Sequence, residues 1–138
     1  MNILELPFNR HLGLTIVERD GKSLISIDPQ PEHLNHVGTL HASVLFAVAE
    51  AASGQALLSR QLDTTNTTAL LRNSDIKYRS PATTKVYGVA TIDDSAFDKL
   101  SQQLSARGRA SIEVSVSVIN ENDVECVSGT FKWFVAVV

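Results

Sequence analysis

Residues 35–54 read NHVGTLHASVLFAVAEAASG. From Leu40 to about Arg60 apolar residues fall on nearly every side of a helical wheel, and many are small: Ala42, Ala47, Ala49, Ala51, Ala52, Gly54 and Ala56. A helix that is apolar all round is buried on most faces. Small residues let neighbouring backbones approach, so the stretch predicts a long helix wrapped by a sheet or packed against a second copy. Glu50 runs against that pattern. An ionised carboxylate without a partner is strongly disfavoured in apolar surroundings. Two readings are open: a Glu paired with Arg or Lys or facing a wet interface, or a carboxylate whose pKa is raised by desolvation, as a general base requires.

The polar residues before the helix add to the second reading. Gly38 permits a sharp turn and Thr39 is the expected N-cap. The N–H groups of His41, Ala42 and Ser43 then belong to the first helical turn, where backbone donors lack internal partners. Such donors, backed by the helix dipole, can stabilise a developing oxyanion. Asn35 supplies an amide that can hold a water or a carbonyl.

Working outward, strand-like segments run from Gly13 to Glu18 and from Lys22 to Asp28. Between them Asp20-Gly21 suits a tight hairpin turn, and Pro29 and Pro31 stop the second strand. After the helix, strands are expected over Thr67 to Tyr78 and Lys85 to Ile92, separated by Ser80-Pro81-Ala82. Ala110, Ile112, Val114, Val116 and Val118 alternate with polar residues, the period of a strand with one buried face. A turn at Glu121-Asn122-Asp123 leads into a last strand carrying Val127, Phe131, Trp133 and Val135, and the aromatics Tyr78 and Phe131 to Phe134 are expected in the core. A short surface helix is expected over Ser95 to Ser105. The order predicts an α+β fold with an antiparallel sheet curled around one helix.

The 138 residues fit one domain. A net charge of −3 leaves no global basic field, so nucleic acid is not an expected partner. The single Cys126 excludes an intramolecular disulfide. The opening MNILELPFNR lacks the features of a signal peptide, and the expected location is cytoplasmic. Residues 40–58 approach membrane-span length, but Glu50 at mid-bilayer would cost about 2.5 to 3.5 kcal/mol, so no membrane association is expected. His33, His36 and His41 lack the spacing of a metal site, and no metal is expected. Neither Ser53 nor Cys126 lies in a nucleophile motif.

Asn35, the run Gly38-Thr39-Leu40-His41 with two small residues after it, and the acid Glu50 on the following helix resemble the signature of hotdog-fold acyl-CoA thioesterases of the phenylacetate-pathway type. The resemblance is strongest over residues 35–54 and extends through the strand order, Tyr78 and the Ser80-Pro81-Ala82 turn. The Glu-Ala-Ala-Ser-Gly ending and the helix before Gly108-Arg109-Ala110 are similar to a thioesterase-like branch of that superfamily. The resemblance implies a hotdog domain over residues 1–138, with a long central helix and a curved antiparallel sheet of five to six strands. It implies hydrolysis of an acyl-CoA thioester to free acid and CoA, with no cofactor besides the CoA of the substrate. Glu50 would act as general base or nucleophile, Asn35 would orient water or substrate, and the Ala42 N–H would polarise the thioester carbonyl. Where the family has a pair of glycines this chain has Ala42-Ser43, and where it often has Ser or Thr this chain has Gly54, beside Ser53.

His41, Ser43, Ser53 and Gly54 are thus candidates to contact substrate. Arg79 is the candidate partner of a CoA phosphate, with Lys77, Arg107 and Arg109 as further basic residues; solvated strand charges are the competing reading. The eight steps from Ala42 to Glu50 span roughly 12 Å of helix axis, whereas both groups must lie within about 3 Å of the reacting atoms. One thioester therefore takes Glu50 from one subunit and Ala42 with Asn35 from another. A homodimer is expected, with a homotetramer as the further assembly the resemblance implies. Besides hydrolysis, a non-catalytic acyl-CoA binding or sensing module and a hydratase relative are open; the latter normally needs a catalytic His with an Asp or Asn at the helix entry.

Overall fold

The structure is a computed structural model and describes residues 1–63 and 65–138. Its longest helix, α2 (Ala42–Ser59), is the apolar stretch around Glu50. Among the described residues it is the one helix long and apolar enough to cross a membrane, yet it is the core helix, more than half of it buried inside the protein. Val48, Ala49 and Ala51 are fully buried.

Among the described residues six strands form one antiparallel sheet: β1 (Thr15–Arg19), β2 (Lys22–Ile27), β3 (Thr67–Tyr78), β4 (Val86–Thr91), β5 (Arg109–Asn120) and β6 (Glu125–Val137), in the order β1-β2-β4-β5-β6-β3. The sheet curls around α2, which is the hotdog architecture. Asp20 and Gly21 adopt positive φ, 51° and 74°, as the β1–β2 hairpin requires. On β5 the buried Ala110, Ile112, Val114, Val116 and Val118 alternate with more exposed neighbours and face the helix. α2 lies so close to β4 that a Cβ on Gly88 would stand 2.7 Å from the Ala52 Cβ. Small residues on both elements make that approach possible.

Some local readings change. Residues 7–12 form a short helix, α1 (Pro7–Leu12), started by Pro7 and ended by Gly13 in the left-handed region at φ 81°. The first strand consequently begins at Thr15 rather than Gly13. The surface helix, α3 (Asp94–Arg107), runs to its own left-handed glycine, Gly108. At α2 the N-cap is His41 rather than Thr39: the His41 Nδ1 accepts from the Ser43 N–H at 2.9 Å. Thr39 is turned to Asn35 instead.

Candidate active site

The loop before α2 is built around Asn35. Its Oδ1 accepts from the N–H groups of Val37 and Thr39, both at 3.0 Å, and its Nδ2 donates to Thr39 Oγ1 at 2.8 Å. Gly38, at φ 78°, supplies the left-handed step that closes this turn. Further bonds anchor the loop: Leu40 N–H donates to Ala82 O and His41 N–H to His33 O, each at 2.8 Å. His33 is buried, its Nδ1 accepting from Gln30 N–H and its Nε2 donating to Leu12 O. That pattern requires the neutral ring with the proton on Nε2.

With His41 as cap, Ala42 is the first helical residue. The Ser43 N–H goes to the His41 ring and those of Val44 and Leu45 to the His41 carbonyl. No acceptor among the described residues meets the Ala42 N–H. Ala42 lines a cavity of about 260 Å³ together with Asn35, Thr39, Leu45, Tyr78, Arg79 and Pro81. The Asn35 amide carries a second hydrogen beyond the one given to Thr39, and Asn35 borders the same cavity.

Arg79 stands at the rim of that cavity. Its Nε donates to Ser128 Oγ at 2.6 Å and lies 3.1 Å from Glu125 Oε1, while about half of the side chain is exposed. The other basic residues do not all gather with it. Lys77 shares a shallow depression with Arg79. Arg109, however, pairs with Ala136 at the far end of β6, eight residues from Ser128, roughly 27 Å along the strand, and Arg107 ends the helix just before it.

Glu50 lies elsewhere. It lines a separate cavity of about 290 Å³ between α2, the first half of β3 and Trp133. No cation pairs with it among the described residues, so the ion-paired reading of this carboxylate does not hold within one chain. Burial raises its pKa above the ordinary carboxylate value. Ser53 is fully buried. Its hydroxyl donates to Glu50 O at 2.7 Å and accepts from Trp133 Nε1 at 2.9 Å. Ser53 therefore holds the indole that walls the Glu50 cavity and has no face toward substrate in this chain. Gly54 lies on the cavity wall itself, while His41 and Ser43 are exposed and face neither cavity.

Tyr78, expected in the core from its strand pattern, is half exposed on the wall of the Asn35–Ala42 cavity. It ends β3, where the chain leaves the sheet for the Ser80-Pro81 turn, and that position beside a turn is the signal the sequence offers. Ser80 and Pro81 join the same wall. Cys126 is buried, and burial pushes its thiol up, the opposite of what a nucleophile needs. Among the described residues no three His, Cys, Asp or Glu side chains cluster as a metal site.

A family model, "Domain of unknown function (DUF4442)", matches residues 3–135. The chain belongs to the DUF4442 family. No curated protein matches the sequence of this DUF4442 chain. Solved structures match its fold. A Pseudomonas aeruginosa protein of unknown function, PA5026, named a "Probable Thioesterase", is 20% identical over 99% of this chain and 91% of its own, with a TM-score of 0.83. The BH2602 protein of Bacillus halodurans, solved with CoA, is 24% identical over 87% of this chain and 70% of its own, with a TM-score of 0.67. A point mutant of the phenylacetic acid degradation protein PaaI of Thermus thermophilus is 21% identical, covering 94% of this chain and 98% of its own, with a TM-score of 0.69. At these identities the likeness establishes the hotdog fold of the DUF4442 chain.

Proposed function

We propose that this protein hydrolyses acyl-CoA thioesters at a site shared between two copies of the chain. The observation that carries the reading is Glu50: a half-buried carboxylate, raised in pKa, without a cation, on the wall of an otherwise apolar cavity. As general base it takes a proton from a water as the water oxygen bonds to the thioester carbonyl carbon. The Ala42 N–H stabilises the oxyanion, Asn35 holds the water or the carbonyl, and the carbon–sulfur bond breaks with the proton passing to the CoA thiolate. Attack by Glu50 itself, through a mixed anhydride then opened by water, gives the same products. Arg79, with Lys77 beside it, suits a CoA phosphate. Support for the CoA part of the substrate also comes from the hotdog structure solved with CoA.

The fold supplies a route to the shared site. β3 is one of the two edge strands of the sheet, twelve residues long, and among the described residues nothing pairs with its outer side. The Glu50 cavity lies against its start, at Thr67 to Leu71, and the Asn35–Ala42 cavity against its end, at Tyr78. Leu71 and Tyr78 are seven steps apart, roughly 24 Å of strand. If two copies meet antiparallel along this edge, the start of one β3 lies beside the end of the other. Glu50 of one copy then approaches Ala42 and Asn35 of its partner. An unpaired edge with exposed Leu70 and Tyr78 is itself a surface that seeks cover.

The test uses a panel of acyl-CoAs with wild type, Glu50→Gln and Ala42→Pro. Loss of the base should lower kcat about 10²- to 10⁴-fold. Proline is tolerated at the first helical position and removes only the N–H; His41 before it is already extended, at φ −59° and ψ 140°, as a residue preceding proline should be. Ala42→Pro should lower kcat about 10²- to 10³-fold. Co-expressing the two variants should restore about a quarter of wild-type activity, since half of the dimers are mixed and each holds one intact site. No recovery on mixing would place both groups in one chain. Tight binding without turnover by wild type would favour an acyl-CoA binding module.

A further inference from the structure

The cavity at Glu50 continues well past the carboxylate. Glu50, Gly54, Leu57 and Leu58 lie on one face of α2, and from Glu50 to Leu58 this face extends about 12 Å along the axis. Leu62, beyond the helix end, continues the wall, with Leu70 and Leu71 of β3 opposite. Two of the polar groups on its wall are satisfied within the chain, and Thr68 also borders it. The Trp133 N–H is held by Ser53, and the Thr67 hydroxyl donates to the Asp63 carbonyl. Away from Glu50 the slot therefore presents mainly hydrocarbon.

The segment before α1 covers one further side. Ile3 is buried against Gly54, where an added Cβ would stand 3.1 Å from the Ile3 Cδ1. The Ile3 carbonyl accepts from the buried Asn9 Nδ2 at 2.9 Å, which fixes this segment over the slot. Gly54, in the position where a Ser or Thr would add a hydroxyl, instead gives Ile3 its seat. The same residue keeps a donor out of the slot.

We propose, resting on the thioesterase reading, that this slot takes the acyl tail of the substrate and favours an unsubstituted aliphatic chain. A methylene displaces about as much space as a water, whose share of liquid volume is roughly 30 Å³. The 290 Å³ cavity then holds roughly eight to ten carbons at that share. Ile3 and Leu62 set the limit, Ile3 by closing the slot over Gly54 and Leu62 by walling it past the helix end.

The experiment measures affinity by calorimetry for non-hydrolysable thioether analogues of acyl-CoA, from four to sixteen carbons, with the phenylacetyl analogue beside them. Affinity should rise about fourfold per added carbon while the tail enters the slot, then level off near ten carbons, with the phenylacetyl analogue binding no better than a short chain. Ile3→Ala should move the break to longer chains. Leu62→Phe, at a partly exposed position beyond the helix end, should move it to shorter ones. Affinity independent of chain length, tightest binding of the phenylacetyl analogue, or a break that Leu62→Phe leaves in place would overturn the proposal. Parallel hydrolysis assays separate it from the reading on which it rests: a movable break without turnover by wild type leaves the slot standing and removes the hydrolase. Turnover without a break does the reverse.

Discussion

Glu50 carries a stability penalty as well as a proposed task. Its pKa is raised by burial, so between the unfolded and folded values the folded chain binds more protons than the unfolded one. Stability then falls as pH rises through that window. At neutral pH Glu50→Gln should raise the melting temperature by a few degrees, and the difference should vanish in acid below the unfolded value, where both side chains are neutral. Calorimetric scans across pH check this. In kinetics the same shift places the acid limb of kcat/KM above the ordinary Glu range, since the base must be deprotonated to act. His41 acts through the backbone: its Nδ1 caps α2 at Ser43. His41→Ala should lower unfolding free energy by about 1 kcal/mol, measured by urea denaturation. His41→Asn, another cap former, should recover most of it.

Among the elements, α2 and β4 define how tightly the sheet can wrap. Gly88 faces Ala52 with no room for a methyl group. Gly88→Ala should therefore destabilise by about 1 to 3 kcal/mol through overpacking, read as a lower urea midpoint at unchanged slope. Most elements are legible in the sequence because each has its own periodicity. The alternation on β5 and the all-round apolar character of α2 require no partner to be recognised, and the strand expected over Thr67–Tyr78 keeps those bounds in the fold. α1 escapes such a reading because six residues give too few turns for a helical period to emerge; its signals are Pro7 and the left-handed Gly13. At the start of α2 a hydroxyl is the commoner cap, which favours Thr39, whereas the Asn35 side chain draws that threonine into the preceding turn.

For the whole molecule the proposed function stands on association. The two half-sites lie at opposite ends of the free β3 edge. Sedimentation should give a mass of at least twice the 15.0 kDa chain, and dilution that yields monomer should abolish turnover in step. A monomer with full activity is incompatible with a shared site.

The order of residues along the chain is enough to read the helix, most of the strands and Glu50 as a residue to examine, because helix burial, strand alternation and an out-of-place charge are written in nearest neighbours. The choice of Ala42, and the roles of Asn35 and Ala42, come from the family resemblance. What surrounds those residues comes from contacts between distant segments. Tyr78, Arg79 and Pro81 reach the Asn35 loop only because the end of β3 is carried past the start of α2. Ser53, a substrate candidate by its position, is the anchor of Trp133, eighty residues away. Hydrogen bonds and cavities of this kind depend on which surfaces the fold brings together, and a local pattern in the chain has no means of recording that.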